Sequence, residues 1–274
     1  MSSPTWYGDE PEAPPLGAGD WVRVVWRATL VVITMALGLV AMLAVRLFER
    51  PLCGMRRPVS PGISRIVFRS CCAILGIAVK PSGPRLEGPG ALVANHCSWF
   101  DIVALNARRD VYFVAKSEVS GWPVIGWLAR LVGTVFITRD PRAAAEQKAV
   151  FEERLLHGHR LLFFPEGTST DGMRILPFKS TLFAAFFSHE LKHEMQLQAV
   201  TVIYHAPAGE DPRFYGWWGG MSLGPHLLKL LGAKRQGSVE LVYHPPVRVD
   251  DHPNRKTLAA HLEAQVRSAH PHGS

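Results

Sequence analysis

The sequence predicts an α/β fold, a mixed central sheet flanked by helices, preceded by an N-terminal membrane-anchoring helical segment. From Gly90 onward, short apolar runs of strand length alternate with longer helical stretches, the pattern of a sheet covered by helices. Ahead of that region lies an apolar stretch without a charge. Two polar segments, Asn95-His-Cys-Ser-Trp-Phe-Asp101 and Phe164-Pro-Glu-Gly-Thr168, each follow an apolar run at the point where a strand empties into a loop.

Taken in order, residues 1–22 read as a disordered acidic tail, because Met1 to Asp20 are rich in Pro, Gly, Asp and Glu and contain no Lys or Arg. Residues 23–80 read as membrane-anchoring helices. Ala28 to Val45 carry no charge between Arg27 and Arg46, about 27 Å of helix and close to the lower limit for crossing a bilayer. The stretch begins late for a signal peptide and lacks a small-x-small cleavage site before the Arg-rich region. Arg46, Arg50, Arg56, Arg57, Arg65 and Arg69 follow it and none precedes Arg23, which puts the body on the cytoplasmic side. A second apolar stretch, Gly62 to Val79, reads as an interfacial helix pairing with the first.

The body spans 81–250, with a C-terminal helix and tail at 251–274. Its expected strands are Ala91–Ala94, Val111–Ala115, Thr134–Thr138, Leu161–Phe164, Gln198–Tyr204 and Ser238–His244. The expected helices are Phe100–Ala107, Val119–Leu131, Ala143–His157, Thr181–Met195 and Arg255–Ser268.

With 274 residues and 47% hydrophobic side chains, the chain fits one domain with an appendage. Its mean hydropathy of +0.08 suits a globular body with a membrane attachment. The formal charge of +7 seeks anions. No zinc-finger spacing or aromatic-flanked basic run accompanies it, so anionic lipid head groups or an anionic cofactor are better partners than nucleic acid. Cys53, Cys71, Cys72 and Cys97 form neither a disulfide framework nor a zinc site, which suits a reducing compartment.

His96 can take a proton from a hydroxyl and return one, and Asp101, five positions on, can fix the other ring nitrogen if the chain turns once between them. A histidine packed at a strand end, with an aspartate capping or facing solvent, is the other reading of the same residues. Glu166 follows a strand and is aimed at its end, and Gly167 lets backbone amides approach a ligand. Gly133-Thr-Val-Phe-Ile-Thr-Arg139 ends another strand in a guanidinium suited to phosphate or carboxylate. Three strand ends thus bring a base, a carboxylate and a cation to one cleft.

These residues resemble the glycerolipid acyltransferase family typified by 1-acylglycerol-3-phosphate acyltransferases. Asn95, His96, Ser98 and Asp101 match its first block; Gly133, Phe136, Ile137 and Arg139 its second; Phe164 to Thr168 its third; and Pro177, Phe178 and Lys179 its later Pro-Phe-Lys. The resemblance covers roughly residues 91–204 and implies the glycerolipid acyltransferase-type fold. It also implies acyl transfer from acyl-CoA or acyl carrier protein, as co-substrate and without a further cofactor or metal, to the free hydroxyl of a lysolipid. Membrane lipids are implied partners, and the bacterial inner membrane, with the catalytic domain on its cytoplasmic side, is the implied location. His96 would deprotonate the hydroxyl, Asp101 would orient His96, and Arg139, Glu166, Gly167, Thr168 and Lys179 would bind the acceptor's polar head. The phosphate-using members carry Arg after Glu-Gly-Thr, and this chain has Ser169, so one guanidinium is lost unless Arg174 or Lys179 supplies it. With Thr170-Asp-Gly172, Tyr215-Gly-Trp-Trp218 and Pro225-His226, this resembles the bacterial branch that includes lyso-ornithine lipid acyltransferases.

Cys97, next to His96, would point away from the site as a sequence neighbour at a strand end. His189-Glu-Leu-Lys-His193 is a formal H-E-x-x-H, which on a helix would support a zinc-dependent hydrolase with Glu190 as base. The extended third ligand is absent, with Gln196 and Ala199 in its places, and the polar end of a helix is the plainer reading. A lipid-binding protein with a vestigial site is a third, non-enzymatic reading. His157-Gly-His159 looks like a helix C-terminus. Trp217 and Trp218, near Phe214 and Tyr215, fit a core or a lipid interface equally. There is no G-x-S-x-G elbow, P-loop or dinucleotide glycine fingerprint.

Overall fold

The structure, a computed structural model, describes residues 6–11, 15–88, 90–122, 125–138 and 144–273, with the side chains of 144–148 outside that description. Two helices open the chain, α1 (Ala18–Cys53) and α2 (Ser60–Leu75), followed by β1 (Ala78–Ser82), β2 (Gly90–Ala94), α3 (Phe100–Asn106) and β3 (Tyr112–Lys116). Then come α4 (Ile125–Val132), β4 (Val135–Ile137), α5 (Ala144–Leu156), β5 (Leu161–Phe163) and the long β6 (Gln196–His205). The chain finishes with α6 (Leu223–Gly232), β7 (Ser238–Tyr243), β8 (Val247–Arg248) and α7 (Arg255–Ala269).

The strands form one eight-stranded mixed sheet in the order β1-β7-β6-β2-β5-β3-β4, with β8 pairing β6. β6, β2, β5, β3 and β4 run parallel, while β7 is antiparallel to β6. Every residue of β2 is buried, as expected of a central strand covered on both faces. Alternation along the strand divides its side chains. Leu92 and Ala94 join a core built with α2, α3 and α6, whereas Ala91 and Val93 join one built with α5 and α7. From β2 the chain crosses to β3 and β4 on one side, returns as β5 beside β2, and then adds β6 on the other. The connections therefore diverge at β2, and a crevice opens at its carboxyl end.

α1 has 36 residues and is long and apolar enough to cross a membrane. Trp21, Val25, Val32, Leu37, Val40 and Leu47 are exposed along its length. Both of its ends are nevertheless tied to the same body. Arg23 Nε donates to Gly232 O at 2.8 Å and Arg27 Nη1 to the carbonyls of Leu231 and Ala233 at 2.8 and 2.7 Å, meeting the unsatisfied carbonyl end of α6. At the other end, the buried Glu49 carboxylate accepts from Val59 N, Ser60 N and Ser60 Oγ at the start of α2. Residues 6–11 lie along the body as well, with Trp218 Nε1 donating to Gly8 O at 3.1 Å and Arg213 Nη1 to Asp9 O at 3.0 Å.

Two expected helices form differently. In place of a single helix at Val119–Leu131, a 3-10 turn at Ser117–Gly121 is followed by α4. Pro123 stands between them in the sequence, where it removes a backbone donor and blocks a continuous helix. In place of Thr181–Met195, a 3-10 helix covers Ser180–Phe187 and gives way to turns at Ser188. Phe183 and Phe186, three apart, are both fully buried, and a period of three aligns them on one side where a period of 3.6 would splay them. The sequence reading did not include β1, α6 or β8. β1 is an edge strand with one buried residue, and α6 begins Leu223-Gly-Pro, which masks its helical character.

Candidate active site

β2 and β5 are parallel neighbours with Val93 opposite Phe163, so the segments leaving them, 95–98 and 164–168, emerge side by side. Asn95 extends the sheet with its side chain, donating to Val202 O at 2.9 Å and accepting from Val202 N at 2.7 Å. That fixes the start of the loop on β6, and His96 is the next residue. α3 begins one turn later, with Asp101 N donating to Ser98 O at 3.1 Å, and the turn brings the Asp101 carboxylate back beneath the imidazole.

His96 Nδ1 lies 2.6 Å from Asp101 Oδ2. The same oxygen accepts from Cys97 N at 2.9 Å and Ser98 N at 3.1 Å, and Tyr204 Oη donates to Oδ1 at 2.6 Å. Four donors converge on the fully buried carboxylate, an acceptor-only arrangement that assigns the proton to His96 Nδ1 and the lone pair to Nε2. The His96 side chain is 21% exposed against 0% for Asp101. Its ring stacks on Phe164 with centroids 4.0 Å apart and planes at 14°. The two readings of Asp101 therefore merge, since one carboxylate both caps the loop amides and orients the imidazole. Tyr204, expected only as the end of a strand, is partly buried, with its hydroxyl turned inward to Asp101. Burial and the Asp101 carboxylate push its phenol well above its ordinary range and keep it a donor.

Glu166 sits beneath this arrangement. It is 1% exposed, and its oxygens accept from His96 N and Leu176 N, each at 2.7 Å. Burial raises its pKa to about 8 against the pull of those two amides. The carboxyl expected to hold a ligand's polar head is thus committed to the backbone under His96. Gly167 has φ +71°, which favours glycine at the turn, and the flexible Lys179 side chain packs across it, with Nζ 2.6 Å from where a Cβ would stand. Thr168 is half-buried beside it. Arg139 lies outside the described residues. Arg174 is drawn to Asp171, with Nη2 to Oδ2 at 3.1 Å, and its guanidinium stacks on Trp6 at 4.8 Å.

Residues that the sequence reading noted without a role surround the pair. Thr170 N donates to His96 O at 3.0 Å and Trp217 N to Cys97 O at 2.8 Å. Trp99 Nε1 donates to His226 Nδ1 at 3.0 Å, and burial lowers the His226 pKa to about 4, keeping it a neutral acceptor. Trp218 and Tyr215 are fully buried and Phe214 is buried beside them, which makes these three part of the core, while Trp217 is half-buried. A cavity of about 390 Å³ opens beside Cys97 and Tyr204, with Asp171, His205, Glu210 and His270 on its wall. The Cys97 thiol is pushed well above its ordinary range by burial and by the carboxylates of Asp101, Glu166 and Asp171, which makes it a poor nucleophile.

The zinc reading loses its geometry. His189 to Glu194 are turns, so no α-helical face aligns the two imidazoles. His193 instead lies 3.5 Å from Asp250. Among the described residues no three His, Cys, Asp or Glu side chains come together as metal ligands.

A family model described as Acyltransferase matches residues 76–205, from the turn before β1 to the end of β6. The chain is 55% identical over 270 residues to a lyso-ornithine lipid O-acyltransferase of Rhodobacter capsulatus, with 98% of each chain covered. A 1-acyl-sn-glycerol-3-phosphate acyltransferase of Neisseria meningitidis is 38% identical over 146 residues, 52% of this chain and 55% of that protein. Among solved structures, the 1-acyl-sn-glycerophosphate acyltransferase PlsC of Thermotoga maritima has the same fold, with a TM-score of 0.62 over 92% of this chain and 95% of that one at 17% identity. The matched segment holds His96, Asp101, Glu166 and Tyr204, and with 55% identity to the Rhodobacter relative over 98% of each chain, this chain belongs to the acyltransferase family.

Proposed function

We propose that the protein transfers a fatty acyl group from an acyl thioester, on CoA or acyl carrier protein, to the free hydroxyl of lyso-ornithine lipid. The observation that carries the chemistry is the 2.6 Å contact of His96 Nδ1 with Asp101, which leaves Nε2 as the base. Nε2 takes the hydroxyl proton as the oxygen attacks the thioester carbonyl. The tetrahedral intermediate then expels the thiolate, which recovers that proton from the imidazolium. The acceptor is itself the nucleophile, so no acyl-enzyme forms. Cys97 is excluded from that role by its burial, and Cys97→Ser is expected to keep the wild-type rate within about twofold in a labelled-thioester assay. A loss of about 10²-fold or more with the fold intact would restore a covalent mechanism.

The identity to the Rhodobacter enzyme supports the ornithine head group. Ser169 stands where phosphate-using members carry Arg, and Arg174 is held by Asp171 and Trp6. Lys179, packed on Gly167, and Arg139 are the cations this reading assigns to the acceptor's carboxylate. The test is a panel assay on membranes containing the protein, with lysophosphatidic acid and lyso-ornithine lipid side by side and each donor in turn. Lyso-ornithine lipid is expected to be preferred by more than about tenfold in kcat/KM, about 1.4 kcal/mol. Preference for lysophosphatidic acid would refute the assignment. With both ends tied to the body and an exposed apolar flank, α1 would lie in the membrane interface on the cytoplasmic side of the bacterial inner membrane.

A further inference from the structure

The end of the sheet opposite His96 carries a second polar cluster that the acyl-transfer chemistry does not use. Tyr112 opens β3, Gly133 precedes β4 and His159 precedes β5, so the cluster lies at the amino ends of the parallel strands. Three guanidiniums gather there. Arg154 Cζ lies 4.7 Å and Arg57 Cζ 5.7 Å from the centroid of the Tyr112 ring, and Arg46, from the last turns of α1, lines the small cavity beside the same ring. His159 stacks on Tyr112 at 4.4 Å and its Nε2 bonds Met55 O at 2.8 Å. Burial and Arg154 lower its pKa to about 4, so it adds no charge.

Among the described residues the charges here are unbalanced and the donors are not all used. Arg154 is buried, and its Nη2 donates to Gly133 O at 2.7 Å. Arg154 Nε, Arg57 Nη1 and Arg46 Nε are buried and make no hydrogen bond within the described residues. Glu49, which acts on Arg46, has its oxygens taken by Val59 and Ser60. Glu153, next to Arg154, is exposed. Buried guanidinium N–H groups without acceptors are costly, and like charges this close repel. An anion with several acceptor oxygens relieves both, and the planar fork of Arg fits phosphate in particular. The approach is open from the α1–α2 turn, where Arg46 and Arg57 are only half-buried. Leu43, Leu47, Phe48 and Leu52 are exposed around Arg46 on the same helix. A phosphate held between that apolar surface and the turn would sit at the depth of a lipid head group.

We propose that Arg46, Arg57 and Arg154 form a binding site for the phosphate of a membrane phospholipid, at the opposite end of the sheet from His96. The site docks the body on an anionic leaflet and is not an acceptor site. The test uses the full chain and vesicles of a phosphate-free neutral glycolipid with or without phosphatidylglycerol. Arg46→Gln and Arg57→Gln are each expected to weaken binding to the phosphatidylglycerol vesicles about fivefold and to leave binding to the neutral ones unchanged. Lys256→Gln, which removes the same charge from an exposed position of α7, should bind as wild type does. Arg57→Lys keeps the charge and loses the fork, and should fall between. Thermal melts in neutral detergent check the fold of each variant and add inorganic phosphate as a second probe. If Lys256→Gln weakens binding as much as Arg57→Gln, general surface charge explains the effect and the site is refuted. If inorganic phosphate raises the Tm of wild type but not of Arg57→Gln, while vesicle binding is the same for both, the cluster takes soluble phosphate and the lipid assignment falls.

Discussion

Replacing His96 with alanine is expected to lower kcat for acyl transfer by about 10³-fold, within the span that a positioned general base contributes, while KM for the lysolipid and the melting temperature stay near wild type. Removal of the ring takes away the stack on Phe164 and the bond to Asp101 but leaves the backbone ties of the loop in place, so the fold survives. Asp101→Asn should reach a comparable loss of rate by another route. An amide oxygen can replace one carboxylate oxygen, but the amide nitrogen then faces donors, from the set Cys97 N, Ser98 N, His96 Nδ1 and Tyr204 Oη. The tautomer that leaves Nε2 as base is no longer enforced, and the fold loses about 1–3 kcal/mol. Tyr204→Phe removes one of four donors and should cost only about threefold to tenfold in rate. Single-turnover and steady-state kinetics on folded, membrane-bound variants check all three. If His96→Ala keeps more than about a tenth of the wild-type rate, the base assignment is wrong.

What the sequence made legible was whatever repeats locally. Ala91–Ala94 and Leu161–Phe164 are apolar runs bounded by polar residues, and both formed strands within a residue of their expected ends. Their adjacency, which places Glu166 under His96, depends on β5 inserting between β2 and β3, a long-range choice that no local pattern encodes. The 3-10 helix at Ser180–Phe187 was lost for a related reason. Its apolar residues fit a helix of either period, and only the buried positions of Phe183 and Phe186 decide between them. Tyr204 ends an expected strand, and nothing in the sequence says that its hydroxyl meets Asp101, 103 positions earlier. The arginines around Tyr112 were legible only as net charge following the apolar stretch. Their convergence on one ring requires the α1–α2 turn to dock against β3 and α5.

Glu166 separates a residue that touches substrate from one that positions the base, and its substitution carries the second large effect. Glu166→Ala strips acceptors from the buried amides of His96 and Leu176 and leaves a void, costing about 3 kcal/mol of stability. Freed from its tie, the His96 backbone shifts, and a displacement of about 1 Å lowers kcat by about 10²-fold. Glu166→Gln keeps the shape and one acceptor and should retain part of both. A residue gripping the acceptor's head would instead raise KM and leave Tm and kcat alone. The pH dependence gives a further sign. Burial holds the Glu166 pKa near 8, above the ordinary 4.5 of the unfolded chain, so the folded state keeps a proton that the unfolded state releases. Its contribution to stability is complete below about pH 4.5 and declines as pH rises toward about 8. Glutamine does not titrate, so the Tm advantage of wild type over Glu166→Gln should shrink between about pH 5 and 8. Melts across that range read the trend directly, and a gap that stays flat from about pH 5 to 8 would mean that the buried carboxyl is ionised throughout, with its two amide bonds outweighing its desolvation.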